Sequence, residues 1–259
     1  MRARRPGAGR RRAMEQPGRA GGRAGVLAGA RVRRLPRLIG LIAGAFLLVE
    51  AVLLGLGLLI TRGLDDSAVA AEELAFERTL AAGRTPFWNE VTHYGSVLGS
   101  TVTIVILTAA GCLLLAWRGQ GPRLPAFLAV AVAGETGLFL LAALAIDRVR
   151  PPIEQLDIAP PTSSFPSGHT AATIALGVGL ALGLARTHPR HRLRASSWFL
   201  AVAVAAFVLV SRLYRGMHWP TDVAASVVFT LVWLLLLRTI LLPKDVEDRP
   251  AAAPGPRPP

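Results

Sequence analysis

The chain is short of charge, of cysteine and of lysine. Asp, Glu, Lys and Arg make up 17% of its 259 residues, against about 25% in a soluble domain. Apolar residues reach 52%. That balance excludes an ordinary soluble globule and a disordered chain. A lone cysteine, Cys112, lies inside an apolar run, so no intrachain disulfide and no cysteine-based metal site is expected. Lys244 is the single lysine among 29 basic residues. The net charge of +13 raises the possibility of a nucleic-acid partner, and the placement of the charges decides it.

Charge and apolar residues are segregated. Residues 1–37 hold twelve Arg and one Glu among many Gly, Pro and Ala. They read as a disordered basic tail at the cytoplasmic side, a segment that meets anionic lipid and fixes orientation, with no nucleic acid involved. The Pro/Ala-rich stretch 243–259 reads as a second disordered tail. Between them lie six apolar runs, about Leu38–Ile60, Leu98–Trp117, Leu124–Ile146, His169–Ala185, Trp198–Leu213 and Asp222–Leu242. A helix needs roughly 20 residues to cross the hydrocarbon, and none of the runs alternates as a barrel strand would. The expectation is an all-α, six-transmembrane-helix bundle over 38–242. The fourth and fifth runs are the shortest, which suggests ends seated in polar surroundings.

Loop charge orients the bundle. Arg118 and Arg123 follow the second run; Arg186, Arg190, Arg192 and Arg194 follow the fourth. Residues 61–97 carry three Arg and six acids. The positive-inside rule then puts both termini in the cytoplasm and loops 61–97, 147–168 and about 211–221 outside.

Those outer loops hold Arg148-Val149-Arg150-Pro151, Pro166-Ser167-Gly168-His169 and Ser211-Arg212-x5-His218-x3-Asp222. Arginine forks match phosphate oxygens, and a Ser-Gly pair at a helix start offers free N–H groups to an anion. Asp222 is one helical turn after His218 and can accept from one ring nitrogen, leaving the other as a nucleophile. His169, from another helix, can serve as general acid. The chemistry is phosphoryl transfer through a phosphohistidine, with no metal and no cofactor.

The three segments resemble the signature of the type-2 phosphatidic-acid phosphatase superfamily, Lys-x6-Arg-Pro, Pro-Ser-Gly-His and Ser-Arg-x5-His-x3-Asp, over about residues 85–240. The resemblance implies a six-helix bundle with its site at the outer face. It implies that Arg150, Ser167, Gly168 and Arg212 bind phosphate. His169 would be the acid, His218 the nucleophile and Asp222 its partner. The family lysine falls at Ala143 in this chain. Arg148 and Arg215 are the candidates to replace it, and Arg148 is preferred because it is two residues from Arg150 in the same extended segment. The implied activity is hydrolysis of a membrane lipid phosphate or pyrophosphate: phosphatidic acid, phosphatidylglycerol phosphate or a polyprenyl pyrophosphate. A phosphoryl-lipid transferase, or a catalytically weakened lipid-binding relative, is the alternative.

Other residues carry weaker signals. Glu50 and Glu135 fall mid-helix, where ionisable groups are costly; they read as partners of each other or of nearby Thr and Ser. His93 and Tyr94 read as interface anchors, His188 and His191 as solvated, and Trp219 as packing beside the nucleophile. Segment 72–92 reads as an amphipathic helix on the outer surface.

Overall fold

The computed structural model describes residues 19–64, 67–119, 121–159 and 161–242. Among these, the elements are helical: α1 (Arg19–Leu58, extended by a π-helical turn, Leu59–Gly63), α2 (Ala68–Ala82), α3 (Pro86–Leu98), α4 (Thr101–Trp117), α5 (Arg123–Ala145), α6 (Gly168–Thr187), α7 (His191–Tyr214) and α8 (Pro220–Leu241). Five spans, Leu35–Gly63, α5, α6, α7 and α8, are each long and apolar enough to cross a membrane. The pair α3 and α4, bent by 50° where they join, meets the same test together and is the candidate for a sixth crossing.

Several expectations shift. The first helix does not begin near Leu38: it starts at Arg19 and carries Pro36 inside it. Ala, Leu and Arg between residues 24 and 37 are good helix formers, so nothing local stops the helix at the tail boundary. Residues 1–18 and 243–259, the remainder of the expected tails, lie outside the described residues. Segment 72–92 is two helices rather than one. Gly83 ends α2, and the Thr85 hydroxyl caps α3 by accepting from Trp88 N at 3.3 Å, with Pro86 at the first helical position. The fourth and fifth spans have 20 and 24 residues, so neither is short. Arg192 and Arg194, expected in a loop, belong to the first turn of α7.

The chain divides into two compact units, residues 1–41 and 42–259. The described residues of the first form the N-terminal part of α1, with Leu35, Ile39 and Leu41 exposed. In the second, α6 is central and packs on α4, α5, α7 and α8. Trp233 anchors the core: its ring is fully buried, stands edge-on to Phe46 at 6.1 Å and donates to the Ala131 carbonyl at 3.0 Å. Burying an indole requires such an acceptor for its N–H. Leu47, Val102, Leu113, Leu144, Phe199 and Val202 point outward. Large exposed aliphatic side chains on long helices are what lipid contact demands.

Two glycines shape the functional end. Gly99, at the α3–α4 bend, allows a close approach to His169; a Cβ there would sit 3.0 Å from His169 Cβ. Gly216 adopts φ +69° in the turn that delivers His218 to the start of α8, a conformation that glycine takes without steric cost.

Candidate active site

The C-terminal ends of α5 and α7 and the N-terminal ends of α6 and α8 meet at one end of the bundle, as their order along the chain requires. Here a cavity of about 540 Å³ opens. Arg150, Arg212, His169, His218, Gly168 and Asp157 line its polar end. Val97, Ile104, Val105, Val132, Phe139 and Leu140 line the remainder, between the α3–α4 arm and α5. Val97, Val105 and Leu140 are also exposed on the outside of the bundle, so this apolar part opens sideways.

His218 is buried. Its Nδ1 lies 2.6 Å from the Ser164 carbonyl. A carbonyl only accepts, so Nδ1 carries the proton and Nε2 keeps a free lone pair. Burial first, then the positive charges of Arg212 and Arg150, hold the imidazole well below its ordinary pKa of 6.5. The ring is therefore neutral and nucleophilic. Asp222 is not the direct acceptor that its spacing suggested. Its Oδ2 stands 3.9 Å from Nδ1 and instead accepts from Trp219 N at 2.9 Å, capping α8. Its Oδ1 is held by Arg148 Nη1. The Ser164 carbonyl, from the loop before α6, takes the place expected for the carboxylate.

Arg148 is the clearest correction. It does not line the cavity of Arg150 and Arg212. Its guanidinium lies over the Trp219 ring at 5.5 Å, pairs with Asp222, donates to Thr221 Oγ1 at 2.8 Å and reaches Glu73 at 2.9 Å. It lines a smaller cavity, of about 240 Å³, with Glu73, Trp219 and Thr221. The expectation assumed an extended segment, in which residues two apart share a face. Residues 146–150 form no strand; Arg148 N donates to Ser163 Oγ and its carbonyl accepts from Ser164 N, which turns the segment. Arg215, the other candidate for the lysine's place, is also engaged elsewhere. It donates to Asp157, to the Asn89 and Leu156 carbonyls and to Thr92. Ser167 is wholly buried outside the cavity. Its N–H goes to Ser226 Oγ at 2.8 Å and its hydroxyl pairs with Thr170.

What remains at the polar end is an anion-seeking set. Arg150 donates to the Met217 carbonyl, and Arg212 Nη1 is shared by Ser96 Oγ at 2.8 Å and Asp157 at 2.6 Å. Arg212 Nε is buried with no acceptor. A buried donor of this kind lacks a partner that a phosphate oxygen can supply.

A profile of the PAP2 superfamily matches residues 104–244. This chain belongs to the PAP2 superfamily. It is similar to an undecaprenyl-diphosphatase of Sulfolobus acidocaldarius, 34% identical over 109 residues, which are 42% of this chain and 46% of the relative. The match therefore spans about half the length of that relative. It is also similar to phosphatidylglycerophosphatase B of Bacillus subtilis, 27% identical over 190 residues, covering 70% of this chain and 89% of the relative. A crystal structure of a transmembrane PAP2-type phosphatidylglycerolphosphate phosphatase from Bacillus subtilis superposes with a TM-score of 0.65. It covers 82% of this chain and 97% of that one at 21% identity, which shows the same fold. Both the relatives and the apolar helices make this PAP2 chain a multi-pass membrane protein.

Three acids near the site residues carried little signal in sequence. Asp157, from the loop after α5, bridges Arg212 and Arg215. Burial raises its pKa, but hydrogen bonds from Arg215 and Ser96 and the charge of Arg212 outweigh that and hold it below the usual carboxylate value. Glu73 accepts from Thr221 N at 2.6 Å as well as from Arg148. Glu77 is fully buried with both oxygens unpartnered. Burial pushes its pKa up to about 8. A period-3.6 search on 68–82 could have put Glu73 and Glu77 on one helix face, four apart. His93 lines the cavity rather than only anchoring the surface, while Tyr94 is exposed. His188, expected to be solvated, has Nδ1 buried. Glu50 and Glu135 are not hydrogen-bonded to each other: both Glu50 oxygens lack a partner, and Glu135 reaches only Thr136, at 3.5 Å.

Proposed function

We propose that the chain is a lipid phosphate phosphatase working through a phosphohistidine on His218, without a metal. The observation that carries this reading is the free Nε2 of His218 in one cavity with His169, Arg150 and Arg212. Nε2 attacks phosphorus, the P–O bond to the lipid breaks, and His169 gives its proton to the departing oxygen. Water, deprotonated by His169, then attacks phosphorus; the P–N bond breaks and inorganic phosphate leaves. Arg150 and Arg212 stabilise the charge on the transferring group, one such donor being worth about 3–4 kcal/mol in the transition state. Asp222, 3.9 Å from Nδ1, favours the positive ring of the intermediate by its charge. The sideways apolar opening suits a substrate whose tail remains in lipid. The arrangement of basic residues supports cytoplasmic termini and an outward-facing site, with anionic lipid at the basic N-terminal tail.

The test is phosphate release in detergent micelles with EDTA present, from phosphatidic acid and from a polyprenyl pyrophosphate. It is paired with rapid quenching to trap phosphoenzyme. Release that persists in EDTA, with an acid-labile, alkali-stable phosphoenzyme absent in His218→Ala, is the expected result. Release by His218→Ala at the wild-type rate would refute it.

A further inference from the structure

The apolar part of the cavity contains one ionisable side chain that the phosphoryl chemistry does not use. Glu135, in α5, is almost completely buried, lines this cavity, and has one carboxyl oxygen, Oε1, with no partner. Its other oxygen has only the 3.5 Å contact to Thr136, whose hydroxyl directs its proton to the Val132 carbonyl at 2.9 Å. A carboxyl group in a hydrocarbon slab without a partner is costly and marks a functional position.

Its depth along the cavity is fixed by the helices. Phe139 packs on Gly168, the first residue of α6 and a neighbour of His169; a Cβ on Gly168 would lie 3.0 Å from the Phe139 ring. Glu135 is four residues earlier in α5, about 6 Å further from the polar end. Ala172, one turn into α6, lines the cavity at that level. A lipid with its phosphate against Arg150 and Arg212 places its next few bonds there. In a diacylglycerol phosphate those bonds carry ester carbonyls, on the order of one helical turn from the phosphorus. In a polyprenyl phosphate they are hydrocarbon, which offers a carboxyl group nothing.

We infer that Glu135 is a specificity-determining residue that donates its carboxyl O–H to an ester carbonyl of an acylglycerol phosphate, so that the site favours glycerolipid over polyprenyl substrates. This rests on the phosphatase reading given above. A site built to hydrogen-bond a substrate group rejects the analogue that lacks it, because its own buried polar atom is then left unpaired.

The test compares phosphate release from a diacylglycerol phosphate, its dialkyl ether twin and a polyprenyl phosphate, using wild type, Glu135→Leu and Glu135→Gln in detergent. The ester-to-ether ratio of kcat/KM is read within one preparation, so loss of folded protein cancels. Wild type should prefer the ester about fivefold, the size of one neutral hydrogen bond. Glu135→Leu should bring that ratio to about one. Glu135→Gln, which keeps an N–H donor, should retain most of it. The ratio in wild type should also exceed that in Glu135→Leu when the polyprenyl phosphate replaces the ether. A wild-type ratio near one, or an unchanged ratio in Glu135→Leu, overturns the inference while leaving the phosphatase standing. No release by wild type from any of the three overturns the phosphatase reading, and the inference with it.

Discussion

Arg148 and Arg150 are separated by one residue, yet they serve opposite sides of the His218 segment. On the Arg150 side, two arginines line an open cavity and one donor, Arg212 Nε, has no acceptor. On the Arg148 side, one arginine meets two carboxylates, Asp222 and Glu73, and has its charge fully answered. One side is left short of anion, and the other is closed. A guanidinium near His218 is therefore no sign of substrate contact by itself; its carboxylate neighbours decide between an open donor and a brace. Ala143, where the family resemblance places a lysine, has no cationic replacement in the cavity from either Arg148 or Arg215.

The largest test of this contrast is His218→Ala, which should lower phosphate release by about a thousandfold or more, as expected for a lost nucleophile. Arg212→Ala should follow with a fall in kcat of about 100- to 1,000-fold, the usual effect of removing one transition-state donor. Arg148→Ala should behave differently. It leaves Asp222 and Glu73 buried without their cation, a loss of about 3–5 kcal/mol of stability. Melting in detergent would read that change, and an unaltered melting temperature would show that Arg148 does not brace the segment.

A gentler test concerns Glu77 on α2. Its pKa, ordinarily 4.5, is raised to about 8 by burial. The folded state therefore keeps a proton that the unfolded chain releases above pH 4.5. Stability should be greatest below about pH 4.5 in respect of this group, decline as the pH rises, and level off above about 8. His218 acts in the opposite direction, since its depressed pKa costs stability only as the pH falls below 6.5. Glu77→Gln should therefore flatten the fall in melting temperature between about pH 6.5 and pH 8; an equal fall in both proteins would refute the assignment. Smallest is Ser96→Ala, which removes a bond to both Arg212 and Asp157 and should lower kcat/KM by about threefold to tenfold.

The helices, their order and the meeting of three distant segments were legible in sequence, because apolar length and loop charge are one-dimensional signals. His169, His218, Arg150, Gly168 and Arg212 share the cavity as their motifs suggested. Ser167, Arg148 and Asp222 do not line it. The reason is local: Ser226 and Thr170 engage Ser167, while the α8 cap and Arg148 engage Asp222. No spacing rule reports such competition between acceptors. Asp157 and Glu73 were invisible for a related reason, since their partners lie 55 and 75 residues away. The helix begins as early as Arg19 because arginine is a good helix former as well as a charge.

The 50° bend between α3 and α4 separates two helices with different attachments. The α3 rod is riveted: Ser96 to Arg212 and Asp157, Thr92 and Asn89 to Arg215, and Asn89 to the Tyr214 hydroxyl. The α4 rod, which borders the sideways opening, meets α5 through packing and a weak thiol contact at its far end, Cys112 Sγ to the Pro125 carbonyl at 3.4 Å. The side opening of the cavity and the hydrogen-bonded frame around Arg212 thus belong to the same bent pair of helices, but to opposite sides of its bend.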